Sequence, residues 1–226
     1  MGGESKDWIH KSVNYICEQK QVQTRETVKC STLTDNQEKN IVINLSLLHP
    51  IKELIVTMRY KSDVEGGDNP SDGAPRNYFA FVGNPDRPES MDKANRQRIE
   101  LKSFELELNG SKTHPVKLTR DYVMKRLKPQ GHSCGYKEGH VRDGGTEEIY
   151  TIPFALAPES LNPSGHMNFT KATNPKLHLN LLRHARVTQN SEAQTSTDSD
   201  ELFIDILAVY YNWTIFDGGR VHNAFT

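Results

Sequence analysis

The chain has 226 residues, 35% of them hydrophobic and 25% charged, which is enough apolar material to bury a core and argues against a disordered chain. Its 28 basic and 29 acidic side chains leave a formal net charge of -1, so no overall field exists to hold a nucleic-acid backbone or an anionic membrane, and specific nucleic-acid binding is argued against. No segment approaches the ~18 apolar residues of a transmembrane segment, residues 1–12 lack the pattern of a secretory signal, and the odd set Cys17, Cys30 and Cys134 speaks for a reducing, cytosolic origin rather than a disulfide framework.

Residues 1–11 read as a lead-in. Beyond them, alternation with a period of two dominates. Ile41, Ile43, Leu45 and Leu47 share one strand face, His49-Pro50 punctuates the chain, and Leu54, Val56, Met58 and Tyr60 share one face of the next strand. A Gly/Pro-rich connection follows at 61–75, and another polar one at 83–97. From Ile99 and Leu101 the apolar row slips by one residue to Phe104, Leu106 and Leu108, which predicts a β-bulge at Lys102-Ser103.

One short helix is expected next, with Thr119 as N-cap, Leu118 and Val123 at hydrophobic-staple spacing, Leu127 on the same stripe and Pro129 ending the run. Its basic residues Lys117, Arg120, Lys125, Arg126 and Lys128 read as a solvated face without a function. After the connection at 129–146, Tyr150, Ile152, Phe154 and Leu156 form a strand row, Asn162-Pro-Ser-Gly165 has the residues of a type I turn, and Leu177, Leu179 and Leu181 oppose the polar His178 and Asn180. A last connection, 184–199, leads to 202–216, where both alternating rows are apolar: Leu202, Ile204, Ile206 and Ala208 against Phe203, Leu207, Val209, Tyr211 and Trp213. Such a strand is buried on both faces, either by a loop of its own chain or by a second domain or subunit.

The expected fold is therefore all-β: an eight-stranded antiparallel jelly-roll sandwich with long loops and one short helix in a loop. It occupies 12–216 as a single domain, with 217–226 as a C-terminal tail.

Chemical motifs are sparse. Gly131-His132-Ser133-Cys134-Gly135 fits the nucleophile-elbow pattern, but no apolar strand precedes Ser133 and no helix follows it, so it is read as coincidence. His132, Cys134 and His140 are donor types for zinc but lack a fourth ligand, and His10, His49, His114, His166, His178, His184 and His222 show no metal-binding spacing. Asn44, Asn109, Asn168 and Asn212 each open an Asn-x-Ser/Thr pattern that a chain without a secretory signal does not use. No catalytic, cofactor-binding or metal-ligating residue is assigned, no cofactor is implied, and the chain is not read as an enzyme.

Four pieces then come in a telling order: His49-Pro-Ile-Lys-Glu-Leu-Ile-Val56; Leu108-Asn-Gly110; Phe154-Ala-Leu-Ala-Pro-Glu159 followed by Asn162-Pro-Ser-Gly-His-Met-Asn-Phe-Thr-Lys171; and Tyr210-Tyr-Asn212 through Gly218-Gly219. They are similar to the HP-x-KELIW strand start, the LNG turn, the F-x-L-x-P-E and P-S-G-x-x-N-F-S-R run and the YN…GG close of one family. From about residue 12 onward the sequence resembles the major capsid proteins of the large nucleocytoplasmic double-stranded DNA viruses, specifically the second, C-terminal jelly roll of their double jelly-roll subunit.

That resemblance implies a structural viral protein, a building block of the capsid shell in the virion, assembled in the host cytoplasm. Its partners would be further copies in trimeric, pseudo-hexagonal capsomers, capsid neighbours and a first jelly-roll domain, with the long loops facing outward and strand 202–216 against neighbouring protein. The alternatives are a minor capsid protein, or a single jelly-roll carbohydrate-binding (lectin-like) module with Tyr78, Phe79, Phe81, Tyr136, Tyr210, Tyr211 and Trp213 as candidate aromatics.

Overall fold

The computed structural model describes residues 12–65, 81–82, 99–112, 117–132, 148–184 and 201–225. In chain order the strands are β1 (Val13–Val22), β2 (Glu26–Lys29), β3 (Glu38–Asn44), β4 (Pro50–Tyr60), β5 (Ile99–Leu108), β6 (Ser111–Lys112), β7 (Leu118–Thr119), β8 (Ile149–Pro153), β9 (Met167–Asn168), β10 (Lys176–Arg183), β11 (Glu201–Asp217) and β12 (Arg220–Asn223). A short helix α1 (Lys61–Glu65) follows β4. A second, α2, starts at Arg120–Tyr122, passes through a π-helical turn at Val123–Leu127 and ends in Lys128–Gly131.

One sheet has the order β1-β11-β4-β8, and the other has β3-β10-β5 with β6 and β7 sharing the far edge of β5. All the ladders are antiparallel. Treating β6 and β7 as one position, and setting aside the short β2, β9 and β12, the positions run 1-8-3-6 in one sheet and 2-7-4-5 in the other. That is the strand order of a jelly roll, as the patterning predicts. The excess over eight strands comes from the split fifth position and the three short additions.

The inward rows explain the sandwich. Leu54, Val56 and Met58 on β4 and Ile204, Ile206 and Ala208 on β11 face Leu101, Phe104 and Leu106 on β5 and Leu177, Leu179 and Leu181 on β10, all of them buried. Phe104 meets Tyr150 of the opposite sheet edge to face at 5.1 Å, tying the layers across their gap. The bulge forms where the row slips: Asn180 pairs with Ser103 and Leu181 with Leu101, so Lys102 is the extra residue and both Leu101 and Phe104 stay inside. A second bulge lies at Lys52, between the pairs Glu53–Val209 and Ile51–Tyr210.

Three boundaries differ from expectation. Thr119 caps α2 by accepting from the Tyr122 N–H at 3.3 Å, but Pro129 does not end the helix. In the π-helical turn the Lys128 N–H reaches back to the Val123 carbonyl, and Pro129 then falls in the opening turn of the last segment, where a missing N–H costs nothing. The strand through Tyr150 and Ile152 stops at Pro153: the Phe154 and Ala155 N–H groups both donate to the Lys52 carbonyl, the chain leaves the sheet, and Leu156 is 87% exposed.

The third correction is the stretch 217–226, read as a tail. Gly218 and Gly219, at φ 54° and 79°, make a tight turn from which β12 pairs back on β11. β11 is thereby flanked along both edges, by β1 then β2 on one side and by β4 then β12 on the other. Asn212, fully buried, extends that last ladder with its side chain: Nδ2 donates to the Phe225 carbonyl at 2.7 Å and Oδ1 accepts from the Phe225 N–H at 3.0 Å. Asn212→Ala leaves these groups without partners and is expected to cost about 1–3 kcal/mol. Thermal denaturation measures that loss, and faster hydrogen exchange at the Phe225 amide locates it.

The ends of the sandwich differ. The connections 23–37, 61–98, 120–148 and 184–200 leave from one end, whereas the short connection 45–49, the turn at Asn109-Gly110, the connection 154–175 and the β11–β12 turn gather at the other.

Candidate functional site

Of the nucleophile-elbow residues, Gly131 closes α2 and His132 is extended, while Ser133, Cys134 and Gly135 lie outside the described residues. So does His140. The His132 ring is engaged by carboxylates: Nε2 is 2.9 Å from Glu53 Oε2 and Nδ1 is 3.4 Å from Glu159 Oε1. The hydrogen bond to Glu53, outweighing the opposing effect of burial, raises its pKa above the ordinary imidazole value. A raised folded-state pKa stabilises fully below the unfolded value of about 6.5, and that stability fades as pH rises through the folded value. The thermal midpoint of wild type should therefore exceed that of His132→Gln most near pH ~6, the two converging toward pH ~9.

The aromatic set of a glycan-binding rim is not assembled by the described residues. Phe81, Tyr210 and Tyr211 are buried, Trp213 is 43% exposed, and Tyr78, Phe79 and Tyr136 lie outside the description. The basic face proposed for the helix is also corrected in part. Arg120 is buried against Glu148, with Nη2–Oε1 at 2.5 Å and Nε–Oε2 at 3.2 Å, and the Tyr150 hydroxyl donates to the same carboxylate.

What the fold does bring together is the set of pieces that carry the resemblance. His49 sits at φ 76°, its ring stacked on Tyr210 at 4.6 Å, its N–H donating to Thr170 Oγ1 at 2.8 Å and its carbonyl accepting from the Phe169 N–H at 3.1 Å. A 3-10 turn, Phe169–Lys171, is capped by Asn168 Oδ1, which accepts from the Thr170 N–H at 3.1 Å, and buries Phe169 beside Phe154. Ser164 Oγ accepts from the Ala157 N–H at 2.9 Å, closing the turn that lies between them. His49-Pro50, Pro163, Asn168, Thr170, Lys171, Tyr211, Trp213 and Phe225 thus converge on one groove of about 680 Å³ at the end of the sandwich that holds the 45–49 and 154–175 connections. Mostly apolar in its lining, it offers shape and contact area, and the described residues that line it include no serine, cysteine or carboxylate.

One of the two readings for the second face of β11, cover by its own chain, applies to part of it. Over its first half the chain covers itself. Arg25 lies over the Phe203 ring at 4.5 Å and joins Arg59 in holding Asp205, at 2.6 and 2.5 Å. Lys52, 1% exposed, lies 5.6 Å over Tyr211 and donates to Glu18 and to the Pro158 carbonyl. Toward the groove the cover ends, and Trp213, which lines the groove with Leu48, is left exposed; Tyr15, Phe216 and Val221, also exposed, lie on the opposite face of the sheet. Lys52 and the Arg120–Glu148 pair escaped the sequence reading. The former had a signal in the slip from Ile51 to Leu54, both inward, while nothing local marks Glu148.

A family model described as large eukaryotic DNA virus major capsid protein matches residues 4–220. The PBCV-1 virus capsid, in a quasi-atomic model, is similar in structure with a TM-score of 0.63 at 20% identity, over 99% of this chain and 54% of that one. PBCV-1 VP54, in a crystal structure fitted into a cryo-EM reconstruction of the virophage Sputnik, gives 0.63 at 19% identity over 100% and 55%. The Faustovirus major capsid protein gives 0.50 at 12% over 89% and 33%. At these identities the likeness is one of fold, and the chain spans about half the length of the PBCV-1 chains it matches. No curated protein matches it.

Proposed function

Because the chain belongs to the large eukaryotic DNA virus major capsid protein family, whose members are structural building blocks of the shell, we propose that it acts by packing and carries out no catalysis. The family match over residues 4–220 carries this reading. Support comes from the exposed apolar side chains around Trp213 and Phe216 at one end of the sandwich, the kind of surface that marks contact with another protein. Since the solved relatives are about twice as long, the complete unit on this reading pairs this jelly roll with a first one, and three such units form a pseudo-hexagonal capsomer in the virion shell, assembled in the host cytoplasm. The end bearing the long connections faces outward and the groove faces inward.

Light scattering on the chain joined to a first jelly-roll domain tests the reading. A mass of three copies is expected. A stable single copy, or specific and reproducible binding across a glycan array, would replace it with the isolated binding-module reading.

A further inference from the structure

His132 stands where three parts of the fold meet: it caps the C-terminal end of α2, Glu53 reaches it from β4, and Glu159 reaches it from the 154–175 connection. Both ring nitrogens face a carboxylate oxygen, Nε2 at 2.9 Å and Nδ1 at 3.4 Å. A neutral imidazole has one N–H and one lone pair, so it can serve one of these carboxylates and must turn its lone pair on the other. The arrangement is that of an imidazolium, and the carbonyl end of α2 favours the same charge. Of the other groups around it, Val209 and Pro153, the strand neighbours of Glu53, carry no charge. Lys52 is matched by Glu18 and holds the Pro158 carbonyl, and Lys128 is the cation of the last turn of α2 itself.

The two carboxylates are not equivalent. The Glu53 side chain is 6% exposed and has little water to turn to, whereas that of Glu159 is 43% exposed and can return to solvent. Glu159 belongs to a turn closed by the Ala157 N–H on Ser164 Oγ at 2.9 Å and the Ser160 N–H on the Ala157 carbonyl at 3.0 Å. The end of α2 lies close against that turn, since a Cβ on Gly131 would stand 2.9 Å from Pro158 Cγ. The turn in turn runs into Pro163 and His166 of the groove wall. We propose that His132 is a proton-operated latch: the imidazolium clasps β4 and the 157–164 turn together, and loss of one proton keeps the Glu53 contact, releases Glu159 and loosens the turn. The groove wall then has a tight form at low pH and a looser one at high pH, a property of this chain that does not depend on the shell reading.

Hydrogen exchange read by mass spectrometry on the full chain, at pH ~6 and pH ~9 and scaled for the intrinsic exchange rate, tests the latch. Protection over 154–166 in the wild-type chain should be about threefold or more higher at the lower pH, the scale of one half-exposed ion pair, with no such difference over β10. His132→Gln and Glu159→Gln should each abolish the difference, the latter with the Glu53 contact intact and at a partly exposed position. His166→Gln, altered in the groove wall, should retain it. Equal protection at both pH values in the wild-type chain would overturn the proposal. So would a difference shared equally by β10, one that persists in His132→Gln or Glu159→Gln, or one that vanishes in His166→Gln.

Discussion

Replacing Arg120 with methionine is expected to cost the fold about 3–5 kcal/mol, because it strands the Glu148 carboxylate, 1% exposed, without its cation. The pair links the first residue of α2 to the residue that precedes β8, and Tyr150 completes it from the strand itself. Burial, reinforced by Glu148, pushes the Tyr150 phenol well above its usual range, so it stays protonated and donates. Burial works against the Arg120 cation, yet Glu148 more than compensates and the guanidinium is held above its ordinary value. For a domain of this length the loss corresponds to a fall of roughly 6–20 °C in thermal midpoint. The double variant Arg120→Met with Glu148→Leu removes both charges and should recover most of it, since an apolar pair of similar volume avoids the desolvation cost. Urea denaturation of the four proteins of that cycle measures the coupling. If the double variant is as unstable as Arg120→Met alone, the cost lies in packing and not in the stranded charge.

The second large effect is expected at Gly165. Its φ of 141° lies where side chains are rarely tolerated, and a Cβ there would stand 2.9 Å from the Phe154 carbonyl oxygen. Gly165→Val should cost ~1–3 kcal/mol in backbone strain and a further ~1–3 kcal/mol in crowding. Gly219 is the control, since it has φ 79° with nothing within 4 Å of an added Cβ. Gly219→Ala therefore carries strain without a contact, and the urea midpoint of Gly165→Val is expected to fall well below that of Gly219→Ala. Because Gly165 lies between the groove residues Pro163 and His166, Gly165→Val made in a chain with Trp8→Phe should also broaden the emission of Trp213, whereas Gly219→Ala in the same background should leave it closer to wild type.

Where apolar rows obey a period of two, the sequence was readable to the residue. The slip from Leu101 to Phe104 placed the bulge at Lys102 because an interior row cannot shift by one position without exposing itself. The same logic applies to Ile51 and Leu54, but the lysine between them looks like a strand's solvent face, and only the fold shows it reaching Glu18 and the Pro158 carbonyl from a buried position. Leu156 misled in the opposite sense: its row is apolar, yet the N–H groups of Phe154 and Ala155 are captured by Lys52 and the chain departs. Arg120 stands in a run of basic residues, so composition cannot separate it from Lys125 or Arg126, and its partner is brought close only by the packing of α2 beside β8. The groove is the extreme case. Several of its segments were recognisable as motifs, but its lining runs from Ile16 to Phe225 and acquires a common surface only when β1, β4, β9 and β12 share the end of one sheet.

Sedimentation velocity on the chain alone, and mixed with a separately produced first jelly-roll domain, tests most directly whether this sandwich acts by packing through its exposed end. The chain should sediment as a concentration-dependent, faster species and should shift further when the first domain is added. The double variant Trp213→Glu with Phe216→Glu, altered at exposed positions, should keep its thermal midpoint and remain at the mass of one copy in both samples. A single slow boundary for the wild-type chain at every concentration, unchanged by the first domain, would contradict the account, as would association that the double variant leaves intact.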